Sequence, residues 1–358
     1  YLIQNKNQSP HKLAFVCGSK SLTYDTFLEE VRCCSAGFKK IGITKGTHVG
    51  FLIQNSIEFV ISTLAVANLG AVLVPMDPSI SVRDLSTAIE TSDIEHLILN
   101  DFVIERVLKT GSKIEAENIL DSTKITVVGE VIGKYRNLIE LVDYKDKTFI
   151  LGSEEVEADD AFILTMTSGS TSDPKPIIFS QQNKINRSLN AKNIYELSAA
   201  DIILVSTPLY HSISQRLIFL PIILGGTCVI MENFSPNSWI AEVGARGVSF
   251  TITVAPQLES LLPEINGDKV ALKSLRCLVS CCAVLKDKVK EKLLQSLECQ
   301  FHECYGASEV GVISNLGPQD WETKLGTVGR EVPGVNVKIR GRDGDTLPRG
   351  KVGEITCK

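Results

Sequence analysis

The chain has 358 residues, of which 44% are hydrophobic and 22% charged, and a formal net charge of −5. That length exceeds what one hydrophobic core serves, so two or three packed units of roughly 100–200 residues are expected. The acidic balance excludes a basic field for nucleic acid or anionic lipid, and any anionic ligand must be met by a local site.

In chain order the pattern alternates helix and strand. Thr23 is placed to cap a helix whose apolar face is Phe27, Val31, Cys34 and Phe38, and Gly42 ends it. His48–Ile53 reads as a strand, Ser56 opens a second helix that stops near Gly70, and Ala71–Met76 and Glu95–Asn100 read as buried strands. This β-α-β rhythm implies a mostly parallel sheet covered by helices. The mixed polarity of 112–158 marks the expected junction to a second α/β stretch. There, Ala161–Met166 is a strand, followed by a polar loop and a helix near Gln182–Asn193. Ile202–Thr207, Thr227–Met231, Ser249–Val254 and Leu275–Ser280 are further strands, and Asp287–Leu297 is a charged amphipathic helix. Beyond Gly326 the texture changes: Val335–Arg340 and Val352–Thr356 alternate around the turn Gly341-Arg342-Asp343-Gly344, a hairpin signature. The expected partition is 1–158, 159–325 and 326–358: two stacked α/β subdomains and the start of a small antiparallel β unit.

Ten cysteines lie in no evenly spread framework, which argues for a reducing cytosol and a cytoplasmic protein. The group from Cys277 to Cys304, with His302 inside it, lacks a Cys-x-x-Cys pair, so buried apolar thiols are expected there and not zinc. The apolar runs Phe59–Met76 and Leu217–Met231 are interrupted by Gly and by Asn68 or Pro221. A spanning helix needs about 20 apolar residues, so these runs read as a helix entering a buried strand. The chain begins at Tyr1 and not at Met, so a preceding segment is expected.

The most informative stretch is Thr165–Lys175. Thr167, Ser168, Ser170, Thr171 and Ser172 surround Gly169 directly after a buried strand, and Lys175 closes the run. Such a loop presents hydroxyl and backbone N–H donors, and Gly169 lets a ligand come close, which suits a polyphosphate. The Walker A spacing is absent. On composition alone a solvated Ser/Thr turn fits equally well.

The run resembles the Thr-Ser-Gly-Ser-Thr-Gly-x-Pro-Lys-Gly signature of the acyl-adenylating superfamily, with Ser172 and Pro176 where glycines usually stand. Four further segments fall in that family's order. Gly70-Ala71-Val72 leads to Pro75-Met76-Asp77-Pro78, and Pro208-Leu209-Tyr210-His211 resembles the Pro-x-Phe-His element beside the acyl pocket. Tyr305-Gly306-Ala307-Ser308-Glu309 resembles Tyr-Gly-x-Thr-Glu, and Gly326-Thr327-Val328-Gly329-Arg330 precedes Val332-Pro333-Gly334. The resemblance covers essentially the whole chain.

The resemblance implies ATP-dependent conversion of a carboxylic acid to an acyl-adenylate with release of pyrophosphate, then thioester formation with CoA or a carrier protein's phosphopantetheine. It implies that Thr167, Ser168, Gly169, Ser170 and Thr171 hold the β- and γ-phosphates with Lys175 nearby, and that Glu309 binds Mg²⁺ with Thr171. Ser308 would contact the α-phosphate, and Tyr305 with Gly306 would lie against the adenine. His211 would wall or gate the acyl site, while Asp77 reads as a turn residue. Ser280-Cys281-Cys282-Ala283-Val284-Leu285 aligns with the element whose backbone edges the adenine, where Cys281 replaces a usual glycine and needs room. Ser172 and Pro176 are expected to stiffen the phosphate loop.

Tyr210-His211-Ser212-Ile213-Ser214 carries no acid to pair with an α-amino group, which favours a simple fatty or aryl acid. Gly353-Glu354-Ile355 resembles the strand before the family's Thr-Gly-Asp motif. The resemblance therefore implies an N-terminal domain lacking the lid domain and its catalytic lysine, poorly active alone. Rival readings are an adenylation domain loading a carrier protein, a luciferase-like oxygenase, and a non-catalytic nucleotide-binding descendant.

Overall fold

The computed structural model describes residues 1–110, 119, 123–130, 135–146, 148–167, 175–267 and 271–358, with the backbone alone at 110, 166, 167, 175, 266 and 267. It is mixed α/β with mostly parallel sheets and one small antiparallel sheet. Contacts divide the chain into compact units Tyr1–Phe234 and Ser235–Lys358. The partition expected at 158/159 and 325/326 is a proposal from the sequence; the residues past 158 nonetheless continue the first sheet, as follows.

The first unit carries β1 (Leu13–Cys17), β2 (Lys20–Thr23), β3 (His48–Leu52), β4 (Val72–Pro75), β5 (His96–Asn100), β6 (Lys124–Val128), β7 (Arg136–Asn137), β8 (Ala161–Thr167), β9 (Lys175–Ser180), β10 (Ile202–Val205) and β11 (Thr227–Ile230). A seven-stranded sheet runs β7-β6-β5-β3-β4-β8-β9, parallel except for the last pair. Within the same unit, β10, β11 and β1 pair in parallel and β2 folds back antiparallel on β1. β6 lies inside the sheet, in the stretch expected to be a junction.

Local chemistry explains the elements. Thr23 caps the helix Tyr24–Lys40 with a reciprocal box to Thr26. Its apolar stripe ends fully buried: Phe27 and Phe38 are each 0% exposed. Burying such a ring stabilises by about 1.5–3 kcal/mol. Ser56 and Ser81 accept the backbone N–H of Phe59 and Asp84 and so start the helices Ile57–Asn68 and Val82–Thr91. Leu85, Val103, Leu97, Leu99 and Val127 form part of the core against the sheet's parallel strands. The helix Ser212–Leu224 contains Pro221 and ends at Gly225, which adopts a left-handed φ of 77°. Among the described residues no helix is long and apolar enough to cross a membrane.

The second unit carries β12 (Phe250–Val254), β13 (Cys277–Cys281), β14 (Gln300–Ala307), β15 (Gly311–Leu316), β16 (Arg330–Glu331), β17 (Val337–Arg340) and β18 (Glu354–Cys357). β12, β13 and β14 are parallel neighbours, and β15 and β16 continue antiparallel. β17 and β18 form the separate antiparallel pair expected from the alternation.

Candidate functional site

The hydroxyl-rich run connects two antiparallel strands. β8 enters it, β9 leaves it, and the backbones of Thr167 and Lys175 pair across its base. Ser168, Gly169, Ser170 and Thr171 lie outside the described residues, as do the side chains of Thr167 and Lys175. β9 itself differs from the expected polar loop. Pro176, expected to stiffen the loop, sits within β9 at the edge of the sheet, paired with Met166. An edge strand tolerates the missing N–H, so the proline constrains a strand and not the loop.

In the first unit a polar network gathers beyond the carboxyl ends of β3, β4 and β10, the end where open α/β sheets take their ligands. Asp77 follows β4. Its Oδ1 accepts from Ser79 N at 2.8 Å and Ser79 Oγ at 2.7 Å, the turn role expected of it. Its Oδ2 accepts from the Tyr210 hydroxyl at 3.0 Å. Burial opposes the ionised carboxyl, yet these three donors and nearby His211 hold Asp77 below the usual carboxylate range. Burial and the same carboxylate push the Tyr210 phenol up to about 12. The His211 ring packs against Tyr210 with centroids 4.3 Å apart and the planes tilted by 55°. Protein packed around the imidazole lowers its pKa against the pull of Asp77, which favours a neutral wall over a charged base.

Asn55 was invisible as a motif. Its Nδ2 donates to the carbonyls of Thr207 at 3.0 Å and Met231 at 2.9 Å, and its Oδ1 accepts from Leu209 N at 2.7 Å. One amide thus fixes the Pro208–His211 segment. Behind it, Lys184 on the helix Gln181–Tyr195 is 5% exposed and donates to Gln215 Oε1 at 2.8 Å. Burial, with Arg187 and Arg216 nearby, pushes its pKa well down.

In the second unit, Cys281–Ala283 and Tyr305–Glu309 span the carboxyl ends of neighbouring parallel strands, since Ser280 on β13 pairs with Glu303 on β14. The structure therefore brings the expected adenine edge and the Tyr-Gly-Ala-Ser-Glu segment to one end of the same sheet. The glycine-like backbone lies one residue beyond the position where the glycine is usual. Cys281 is 4% exposed at the end of β13, with its Sγ 3.5 Å from the Thr253 carbonyl. Cys282 carries the left-handed backbone, φ 68°, that suits glycine. A non-glycine residue there costs roughly 1–2 kcal/mol.

β14 and β15 form a tight hairpin with a bulge between Tyr305 and Gly306. A Cβ at position 306 would collide with the Gly311 carbonyl oxygen, so only glycine closes this turn. Tyr305 is 37% exposed, leaving its ring accessible to a planar group. Ser308 is half-buried and Glu309 exposed near the hairpin tip. Among the described residues no group of three or more His, Cys, Asp or Glu could hold a metal. Mg²⁺ arriving with a triphosphate needs only one or two protein carboxylates, so an exposed Glu309 fits that demand.

Buried charge holds this edge in place. The Lys290 ammonium lies 2.6 Å from Glu303 Oε2, both side chains being 4% exposed. Glu303 Oε1 accepts from Leu285 N at 3.3 Å, and Lys290 also donates to the Leu325 carbonyl at 3.0 Å. Arg330 clamps buried Asp320 with Nε 3.1 Å from each carboxylate oxygen. Gly329, at φ 79°, passes against the Asn315 carbonyl where a Cβ would not fit. Neither pair announces itself in the sequence, because each partner looks like an ordinary surface charge.

The profile of the AMP-binding enzyme family matches residues 2–358. A feruloyl-CoA synthase of Amycolatopsis sp is 24% identical over 356 residues, covering 99% of this chain and 68% of that protein. A 2-succinylbenzoate–CoA ligase of Bacillus licheniformis is 24% identical over 365 residues, covering 100% of this chain and 70% of that protein. The luciferase-like enzyme of the nonluminescent mealworm Zophobas morio shares the fold with a TM-score of 0.89 at 22% identity, covering 100% of this chain and 84% of that one. With the family profile spanning residues 2–358, the chain belongs to the AMP-binding enzyme family.

Proposed function

We propose that the chain activates a carboxylic acid with ATP to give an acyl-adenylate and pyrophosphate, and that the acyl group passes to the thiol of CoA or of a carrier protein. The observation carrying this reading is the placement of the Cys281–Ala283 and Tyr305–Glu309 segments at the carboxyl ends of two neighbouring parallel strands in a member of the AMP-binding enzyme family. The carboxylate is already ionised near neutral pH, so the reaction needs positioning and charge neutralisation more than a base. Tyr305 offers a ring face to the adenine and the Ala283 backbone edges it. Ser308 contacts the α-phosphate, Glu309 carries Mg²⁺ with Thr171, and Thr167–Thr171 with Lys175 hold the outer phosphates. Mg²⁺ supplies charge neutralisation on the departing pyrophosphate. His211, kept neutral beside Tyr210, walls the acyl group.

A fatty or aryl acid is the substrate class, supported by the absence of an acid in Tyr210–Ser214 and by relatives named for aryl acids. Screening the chain against a panel of carboxylic acids with MgATP, with pyrophosphate release as readout, tests the reading. Release with an aryl or fatty acid above the acid-free rate supports it. Silence across the panel, with MgATP bound by calorimetry, favours a nucleotide-binding module instead.

A further inference from the structure

Three cysteines meet beneath the proposed adenine edge. Cys281 ends β13, and its Sγ lies 3.3 Å from that of Cys282. Cys304 follows Glu303 on β14, so continuing the parallel register Ser280↔Glu303 sets Cys281 and Cys304 side by side. Their thiols also contact each other. Cys281 and Cys304 are buried at 4% and 9% exposure, whereas Cys282 is exposed. None of the three is in a disulfide, and among the described residues no metal-holding group includes them.

We infer that Cys281, Cys282 and Cys304 form an oxidisable thiol relay in which a hydroperoxide enters at Cys282 and a disulfide ends between Cys281 and Cys304. The geometry orders the steps. Contacts with Cys282 and Cys304, and burial, push the Cys281 thiol well up, so it does not start the reaction. Cys282 is the accessible nucleophile: its sulfur attacks the O–O bond of hydrogen peroxide, giving a sulfenic acid and one water. The adjacent Cys281 sulfur attacks that sulfenic sulfur, and the departing hydroxide takes the thiol proton as a second water. The resulting bond joins consecutive residues whose Cα atoms are about 3.8 Å apart, below the usual disulfide span of roughly 4.4–6.8 Å. That bond is strained and exchangeable. Neighbouring strands stand about 4.8 Å apart, within the usual span, so Cys304 attacks the Cys281 sulfur, its proton passes to Cys282, and the Cys281–Cys304 disulfide remains. Two thiols are oxidised and one peroxide becomes two waters. The left-handed backbone at Cys282 serves this relay by turning an exposed thiol back onto the strand end.

A consequence rests on the function proposed above: tying Cys281 to β14 pulls the backbone leading into Ala283, so oxidation weakens MgATP binding. The disulfide itself does not depend on that reading.

The test treats the whole chain with hydrogen peroxide, alkylates it under denaturing conditions and maps the peptides by mass. The expected product links Cys281 to Cys304, leaves Cys282 alkylated and reverts with dithiothreitol. Cys282→Ser loses the link at the peroxide dose that converts the parent, and Cys304→Ala stops at the Cys281–Cys282 bond. Alkylated Cys281 and Cys304 in a peroxide-treated parent, or a link forming as readily in Cys282→Ser, overturns the relay. Calorimetry with MgATP reads the consequence: binding by the reduced chain that is lost on oxidation supports it, and unchanged binding by the disulfide form overturns it. A reduced chain that does not bind MgATP contradicts the proposed function, while the peptide masses still decide the relay.

Discussion

Replacing Lys290 with Met should be among the most damaging single changes in the second unit. Lys290 and Glu303 are both 4% exposed, and their charges lie 2.6 Å apart. Removing the ammonium leaves the carboxylate buried, with the Leu285 N–H donating to it only weakly at 3.3 Å. Breaking a buried pair in this way costs about 3–5 kcal/mol, a large share of the roughly 5–15 kcal/mol that stabilises a domain. Asp287, 3.3 Å from the ammonium but 56% exposed, offers little compensation because it is solvated. The pair of substitutions Lys290→Met and Glu303→Leu removes both charges and should recover all but about 1 kcal/mol. Urea denaturation of the parent, both single variants and the double variant closes the cycle, and a coupling above about 2 kcal/mol is expected. Nucleotide binding should separate from stability: the double variant regains stability but leaves Leu285 N–H without its carboxylate, so MgATP affinity stays reduced. A Lys290→Met cost under about 1 kcal/mol, or additive single effects, would refute the buried-pair reasoning.

Glu309→Gln keeps the shape of the hairpin tip but removes its charge, so acid-dependent pyrophosphate release should fall about 100-fold; a drop under about threefold denies Glu309 the metal role. Burial holds the pKa of His96, and of His302 against a hydrogen bond from Asn315, down to about 4. Both are depressed below the unfolded value of about 6.5, so their contribution is complete above that pH and is lost as pH falls from about 6.5 to about 4. Urea midpoints should therefore fall through that window, and a flat profile there contradicts the assignment. Tyr210→Phe removes the hydroxyl 3.0 Å from Asp77 and should cost about 1 kcal/mol in denaturation, with a rise in KM for the acid larger than any fall in kcat; an unchanged KM separates this network from the acyl site.

Much of the framework was legible because it is local. A capping hydroxyl, an apolar face at helical spacing and a closing glycine define the helix Tyr24–Lys40, and the buried β-α-β runs define β3, β4 and β5. β9 was hidden because Pro176 and the exposed Ile178 disguise an edge strand as loop. β1 and β2 went unread, and β1 pairs with β11, whose partners Phe15 and Cys228 no local pattern connects. The chemistry-bearing motifs could be named from residue order, whereas the groups that hold them could not. Asn55, Glu303 and Lys290 act through partners that are distant in sequence, and burial turns an ordinary polar residue into an anchor. Cys281 draws attention in the sequence because it stands where a glycine is usual; only the backbone shows that Cys282 takes the left-handed conformation.

Isotope transfer tests the proposed chemistry most directly. The chain is given MgATP and an acid it activates, with ¹⁸O in the carboxylate, and hydroxylamine is added to cleave any acyl-adenylate at the acyl carbon. Attack of the carboxylate on the α-phosphate predicts AMP carrying one ¹⁸O atom together with unlabelled pyrophosphate. Unlabelled AMP, or label appearing in inorganic phosphate alongside ADP, would contradict acyl-adenylate formation.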